Sequence, residues 1–157
     1  MPFAGGWCFV RGCPQAKGSK QPGRGKLRDS NPNAAAWQHI ARLQLAAAWH
    51  GPPLRGPVVV RFHFLMPRPQ RVPPERDDQP CVPPDWDKLC RTLGDALKPS
   101  VIGDDGQICG AVIDLDYAPT PRDLGVLVQV ERRVKPALVP RPLDSLSVAI
   151  TSLCDGR

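Results

Sequence analysis

The sequence predicts a single domain of the α+β class, in which helices pack on a small mixed or antiparallel sheet. Two observations lead to this class. Extended and helical apolar patterns follow one another in the irregular order strand, helix, strand, helix, hairpin, strand. The chain has 157 residues, of which 41% are hydrophobic, so it carries enough apolar material for one ordinary core. We place the domain at residues 1–135 and interpret residues 136–157 as a Pro-rich tail.

Three segments favour strands. Residues 3–10 contain Trp and Phe side chains that prefer extended structure, and apolar side chains alternate along residues 58–66 and 124–130. Residues 101–102 and 107–113 flank an Asp-Asp-Gly sequence. Because Asp-Gly is frequent in tight β-turns, these two segments predict a hairpin.

Two segments have apolar side chains at helical spacing. Residues 34–49 follow Asn33, a suitable N-cap, and stop before Gly51 and the prolines behind it. Residues 88–97 form the second predicted helix, for which Asp87 is well placed as the N-cap. The sequence therefore predicts two helices, one before and one after the strand that covers residues 58–66.

Several classes of protein and site find no support in the sequence. No apolar run approaches the roughly 20 residues that a membrane helix needs, and residues 1–12 lack the pattern of a signal peptide, so we expect a cytoplasmic protein without a membrane partner. The six cysteines include no C-x-x-C pair, which favours scattered thiols over zinc or disulfides. Residues 12–20 fail the phosphate-loop pattern of NTPases because Ser precedes Lys.

Charge is distributed unevenly along the chain. The net charge is +6, but residues 77–123 hold ten of the fifteen acids and four bases, a local net of −6, which leaves +12 for the remainder. A basic surround attracts a phosphate backbone, and an acidic centre can hold a cation, as a metal-dependent nuclease requires. A solvated surface of mixed charge accounts for the same numbers equally well.

The sequence Asp85-Trp86-Asp87 places two carboxylates two residues apart. In an extended segment such side chains point the same way, so both could bind one hard cation such as Mg²⁺, which prefers oxygen ligands. Taken alone, the residues favour a simpler interpretation, in which Asp85 belongs to a Pro-Pro-Asp turn and Asp87 caps a helix.

Asp104 and Asp105 form a second acidic pair, at the tip of the predicted hairpin. A hairpin does not need two adjacent acids, and their repulsion is mildly unfavourable unless a cation offsets it. Arg91 lies four residues after Asp87 and four before Asp95, so all three share one face of the second helix. Arg91 either belongs to an exposed ladder of charges or stabilises charge on a scissile phosphate.

Basic residues in two loops, residues 11–33 and 67–84, are candidates for contact with a DNA backbone, because such Pro-, Gly- and Arg-rich segments do not pack a core. His63 lies on the more polar face of its strand, and a lone histidine there is more often a surface residue than a ligand. The DNA-binding candidates are Lys17, Lys20, Arg24, Lys26, Arg68, Arg71 and Lys88.

The stretches PPDWDKLCRTLGDAL and VIGDDGQI resemble the RusA family of Holliday-junction resolvases, which carries D-x-D-N-L-x-K, then D-A-L, then D-D-x-Q. The resemblance covers roughly residues 8–131. The chain departs from the family motif at Lys88, where the family has asparagine, at Arg91, where it has lysine, and near Leu115, where it has a further lysine. The residues that match are Asp85, Asp87, Leu89, Asp95, Ala96, Leu97, Asp104, Asp105 and Gln107.

This resemblance implies a RusA-like fold and a homodimer that nicks a four-way DNA junction symmetrically in two strands, in recombination and repair. It implies catalysis by Asp85, Asp87 and Asp105, which with Asp104 would hold Mg²⁺, for which Mn²⁺ could substitute. Arg91 would take the place of the family's lysine beside the phosphate.

Two further hypotheses remain open. The first is a DNA-binding protein of the same fold that does not cut, because Lys88 and Arg91 replace family residues. The second is a small basic protein whose acidic residues only cap turns and helices.

Overall fold

The computed structural model of the chain describes residues 6–18, 20–23, 26–29, 31–73, 75, 79–80 and 84–134. Its two helices are α1 (Pro32–Ala48) and α2 (Trp86–Leu97). Short 3₁₀ turns cover Asp105–Gln107 and Pro121–Asp123. The strands are β1 (Cys8–Arg11), β2 (Lys20–Gly23), β3 (Lys26–Asp29), β4 (Val58–Met66), β5 (Ile108–Tyr117) and β6 (Gly125–Arg132).

Four strands form one mixed sheet in the order β1-β6-β4-β5. β4 pairs antiparallel with β6 and parallel with β5, and β1 pairs antiparallel with β6. The strands β2 and β3 form a separate antiparallel ribbon. The α+β class with a mixed sheet is therefore confirmed.

The core lies between one face of the four-stranded sheet and the two helices. β4 alternates as its sequence predicts, with Val60, Phe62 and Phe64 buried. Leu45 of α1 and Leu93 of α2 pack into the same cluster and are fully buried. Burial of each such side chain contributes about 1.5–3 kcal/mol, so these positions hold the helices against the sheet.

Both predicted helix caps are wrong. α1 begins at Pro32, and the side chain of Asn31 accepts a hydrogen bond from the Asn33 backbone N–H at 3.0 Å. Proline at the first helical position has a fixed φ that suits the helix and lacks an N–H that would go unpaired there. α2 begins at Trp86, so Asp85 is its N-cap residue and Asp87 lies in its first turn.

The predicted hairpin around Asp104 is also wrong. The residues after Asp104 form a 3₁₀ turn, and the following strand, β5, runs parallel to β4. Ile102 makes only an isolated parallel bridge with Leu54. The side chain of Gln107 closes this turn: Oε1 accepts from the backbone N–H groups of Gly103 and Asp104 at 2.8 and 2.9 Å.

The predicted loop at residues 11–33 is wrong in part, because the ribbon of β2 and β3 lies within it. Among the described residues between 67 and 84, none belongs to a helix or a strand, as predicted. The first strand is confirmed from Cys8 onward, whereas residues 3–5 and the tail at 136–157 lie outside the described residues. No helix in the described part of the chain is long and apolar enough to span a membrane.

Candidate active site

The first turn of α2 presents two carboxylates to solvent, and each of them is paired with a cation of the same helix. Asp85 Oδ2 lies 2.7 Å from Lys88 Nζ, and Asp87 Oδ2 lies 3.2 Å from an Arg91 guanidinium nitrogen. The hydrogen bond that Lys88 donates to Asp85 raises the pKa of Lys88. The expected extended conformation ends at Asp85, because Trp86 already belongs to the helix.

A second charged cluster lies at the other end of α2. Lys98 Nζ is 3.0 Å from a carboxylate oxygen of Asp105 and 3.0 Å from one of Asp95. Lys17 makes a further ion pair with Asp95. Partial burial acts to raise the pKa of Asp95, but hydrogen bonds from Lys17 and Lys98 outweigh it, and the pKa is lowered. Hydrogen bonds to Asp105 and Asp95 raise the pKa of Lys98.

The two clusters are separated by the length of α2. Asp87 lies in the first turn and Lys98 is the C-cap, so at a rise of 1.5 Å per residue they are roughly 16 Å apart along the helix axis. Asp105 is held at the Lys98 end. Within the residues that the structure describes, no group of three or more His, Cys, Asp or Glu side chains could hold a metal ion. Carboxylate oxygens suit Mg²⁺, but one chain does not bring Asp85, Asp87 and Asp105 together.

The structure gives the predicted DNA-binding residues different surroundings. Lys17 is engaged by Asp95 and Lys88 by Asp85. The guanidinium of Arg68 lies 4.3 Å from the centre of the Tyr117 ring. Arg71 is exposed. Arg24 lies outside the described residues, as do the side chains of Lys20 and Lys26.

A groove of about 880 Å³ lies beside the N-terminus of α2. Asp85 and Trp86 line it at the helix, and Ala111, Ile113 and Leu115 supply an apolar wall from β5. The other polar side chains that line the groove are His63, Gln79, Asp114 and Asp116. An open groove with a few polar groups on apolar walls is the type of site at which a substrate binds.

The sequence interpretation missed His63. This residue does not stand alone on the surface. Its Nε2 lies 2.7 Å from Asp116 Oδ2, and Gln79 Nε2 lies 3.5 Å from the other oxygen of that carboxylate. The pairing was hidden because a hairpin was expected, whereas β4 and β5 are parallel and place His63 opposite Asp114. In the parallel pairing, the polar residues Asp114 and Asp116 of β5 lie beside His63 of β4, and this alternation of polar residues is the signal in the sequence.

The described cysteines Cys8, Cys13, Cys90 and Cys109 carry free thiols. Burial raises the pKa of Cys8 and, as the largest effect, raises that of Cys90 to about 11. A thiol with a raised pKa is a poor nucleophile near neutral pH. Cys8 and Cys90 are therefore poor candidates for a nucleophile.

The family model described as Endodeoxyribonuclease RusA matches residues 13–131, which is most of the chain. The match includes both charged clusters and the groove. A comparison with curated proteins finds no match.

Proposed function

The chain belongs to the RusA family of endodeoxyribonucleases, and on that premise we propose that it resolves four-way DNA junctions by magnesium-dependent hydrolysis of one phosphodiester bond in each of two strands. The observation that carries the proposal is the acidic first turn of α2 beside the groove, in which Asp85 lines the groove and Asp87 follows in the helix. Family membership makes the chain an endonuclease, and the cation, the paired cuts and the role in recombination and repair are proposed.

The N-terminus of α2 suits an anionic substrate. The backbone N–H groups and the dipole at a helix N-terminus favour negative charge. Asp85 makes no side-chain capping bond among the described residues, so its carboxylate is not consumed in closing the helix. A phosphodiester in the groove would lie close to this end of the helix, with Arg91 one turn further along to offset negative charge on the phosphate.

The proposed cation ligands come from both ends of α2. Asp85 and Asp87 would hold Mg²⁺ in the first turn, and Asp105, assisted by Asp104, would complete the set. When bound, the cation supplies a water of lowered pKa and offsets charge on the phosphate. Because Asp105 of the same chain is held by Lys98 at the far end of the helix, we propose that the homodimer supplies this residue from its second subunit.

The experiment is cleavage of a synthetic four-way junction by the full-length protein with Mg²⁺. We expect paired nicks that Asp87→Asn abolishes while junction binding is retained. Glu75→Gln removes a carboxylate from an exposed position outside both clusters and serves as the matched control, which should cut normally. Binding without nicking in either Mg²⁺ or Mn²⁺ would sink the proposal.

A non-cleaving junction-binding protein is the second candidate. One observation favours it: Lys88 and Arg91 occupy the carboxylates of Asp85 and Asp87, so a cation must displace two ion pairs in order to bind. These pairs are exposed, and exposed pairs contribute about 0–1 kcal/mol. A hard cation can therefore compete for both carboxylates, which is why cleavage remains the preferred proposal.

A further inference from the structure

We propose that His63 is a catalytic residue that takes the proton from the attacking water, and that Asp116 is the positioning residue that holds it. This inference deepens the proposed function and rests on it. His63 lies in the centre of the sheet on β4, between Phe62 and Phe64, which are buried in the core on the opposite face. Its side chain is half-buried and reaches the same groove as Asp85.

The contact with Asp116 fixes which ring nitrogen carries a proton. An ionised carboxylate only accepts hydrogen bonds, so at 2.7 Å the Nε2–H of His63 donates to Asp116 Oδ2. The Nδ1 of the neutral ring is then an acceptor. Within the residues that the structure describes, Nδ1 has no hydrogen-bond partner. Gln79 donates to the other carboxylate oxygen, so Asp116 is oriented from both sides.

The charged groups around His63 suit a residue that becomes positive during the reaction. Asp114 and Asp116 face it from β5, and Asp85 lines the groove at α2. Arg61, two residues earlier on β4, donates its hydrogen bond to Gln129 of β6. On β6 the residue directly opposite His63 is the uncharged Leu127. The charged groups of the described residues that line the groove beside His63 are therefore carboxylates.

The proton transfer balances as a hydrolysis. The oxygen of water forms a bond to phosphorus as His63 Nδ1 accepts one of its protons, and the bond between phosphorus and the leaving sugar oxygen breaks. The leaving oxygen takes a proton from solvent, and His63 returns its own to solvent. Asp116 remains ionised throughout and offsets the charge of the imidazolium. General-base assistance of this kind accelerates a reaction by about 10²–10⁴-fold.

The test compares single-turnover nicking of a four-way junction by wild type, His63→Ala and Asp116→Asn across a range of pH with Mg²⁺. We expect wild-type nicking to decline toward acidic pH, because a general base must be unprotonated in order to accept a proton. His63→Ala should nick about 100-fold more slowly or worse, lose that acidic limb, and be partly rescued by free imidazole. Asp116→Asn should retain the limb at a reduced rate.

Two controls separate catalysis from folding and from the proposed function. Unfolding midpoints and junction affinity should be unchanged in His63→Ala, and ¹⁵N NMR of the wild type should show the Nε2–H tautomer, lost in Asp116→Asn. Wild-type nicking at an unchanged rate and pH profile in His63→Ala would overturn the role of His63 alone. A wild type that does not nick overturns the proposed function, and the role of His63 with it.

Discussion

Gln107 connects the 3₁₀ turn before β5 to the loop that precedes β4. Its Oε1 accepts two backbone N–H groups of the 3₁₀ turn, and its Nε2 donates to the carbonyls of Leu54 and Gly56 at 3.0 and 2.8 Å. One side chain thus closes the turn and brings β5 beside β4. This gives the D-D-x-Q motif a structural reason that does not depend on a metal.

We expect Gln107→Ala to destabilise the protein by about 2 kcal/mol, since each lost hydrogen bond contributes roughly 0.5–1.5 kcal/mol and some of these groups can bond to water instead. Urea unfolding measures the change. Gln70→Ala, at an exposed position in a turn, is the matched control and should change the stability by less than about 0.5 kcal/mol. Equal effects at the two positions would contradict the role given to Gln107.

Lys88 has a direct effect on the proposed metal site, because its Nζ forms an ion pair with Asp85 Oδ2 at 2.7 Å. We expect Lys88→Asn, which restores the family residue, to lower the Mg²⁺ concentration needed for half-maximal nicking by about two- to fivefold, as befits an exposed ion pair. Nicking rates over a magnesium titration give the midpoint.

Arg122→Asn is the control for Lys88→Asn, as it removes one exposed cation from the turn before β6. Its midpoint should stay at the wild-type value. An unchanged midpoint in Lys88→Asn would mean that the Asp85–Lys88 pair does not compete with the cation.

At the scale of elements, Asp95 joins α2 to the connection that follows β1. Its carboxylate forms ion pairs with Lys17 from that connection and with Lys98 from the end of α2. Its backbone carbonyl lies 3.3 Å from an Arg42 nitrogen of α1. The D-A-L motif therefore contributes a structural carboxylate as well as two buried apolar residues.

The lowered pKa of Asp95 makes this contribution dependent on pH. Folding stabilises the ionised carboxylate, so the stabilisation is fully present above the unfolded pKa, for which the ordinary value is 3.8, and is lost as pH falls through the lower folded pKa. We expect Asp95→Asn to cost about 1–2 kcal/mol at neutral pH, and the difference from wild type to shrink below pH 3.8.

Thermal unfolding of wild type and Asp95→Asn over a pH series tests this dependence. Asp114→Asn, an exposed carboxylate, is the comparison and should show a small effect at every pH. A destabilisation by Asp95→Asn that is constant from neutral to acidic pH would exclude the two lysines as its cause.

How far the sequence predicts these elements depends on the range of the interactions that form them. β4 and β6 were predicted because their alternation is local, and the alternating valines of β6, Val126, Val128 and Val130, are buried as those of β4 are. The parallel pairing of β5 was not, because it depends on the contacts of Gln107 with residues more than 50 positions away, Leu54 among them. The D-x-D and D-D pairs were recognised by their motifs. Their separation was not predicted, because it follows from the length of α2 and from the ion pair that holds Asp105 at Lys98.

At the scale of the whole molecule, the net charge of +6 conceals an acidic segment of net −6 in a chain that is otherwise at +12. The structure pairs much of this acidic segment internally, through Lys17, Lys88, Arg91 and Lys98. Lys17 and Lys88 are therefore less available to DNA than their positions in the sequence suggested. Among the predicted DNA-binding residues whose side chains the structure describes, Arg71 is exposed and the others are half-buried.

The separation of Asp87 from Asp105 leads to a prediction about assembly. If the second subunit supplies Asp105, a heterodimer of Asp87→Asn and Asp105→Asn chains has one intact site, because both changes fall in the other. We expect each variant alone to be inactive and their mixture to nick one strand of the junction, at up to half the rate per dimer. Mixing the purified variants after partial unfolding and refolding provides the sample.

Refolding each variant alone is the control and should give no nicking. No recovery in mixtures that are shown to contain heterodimers would place Asp85, Asp87 and Asp105 of one chain in the same site, which requires the Asp105 turn to leave Lys98.

Trp86 gives the acidic turn of α2 an optical signal of its own. Its indole is 60% exposed and lines the groove together with Asp85, whereas Trp37 and Trp49 are buried. Trp7 is the other exposed indole, so Trp7→Phe leaves Trp86 as the solvent-facing fluorophore. The solvent-accessible part of the tryptophan emission then reports on this turn in solution, without a label and without cleavage.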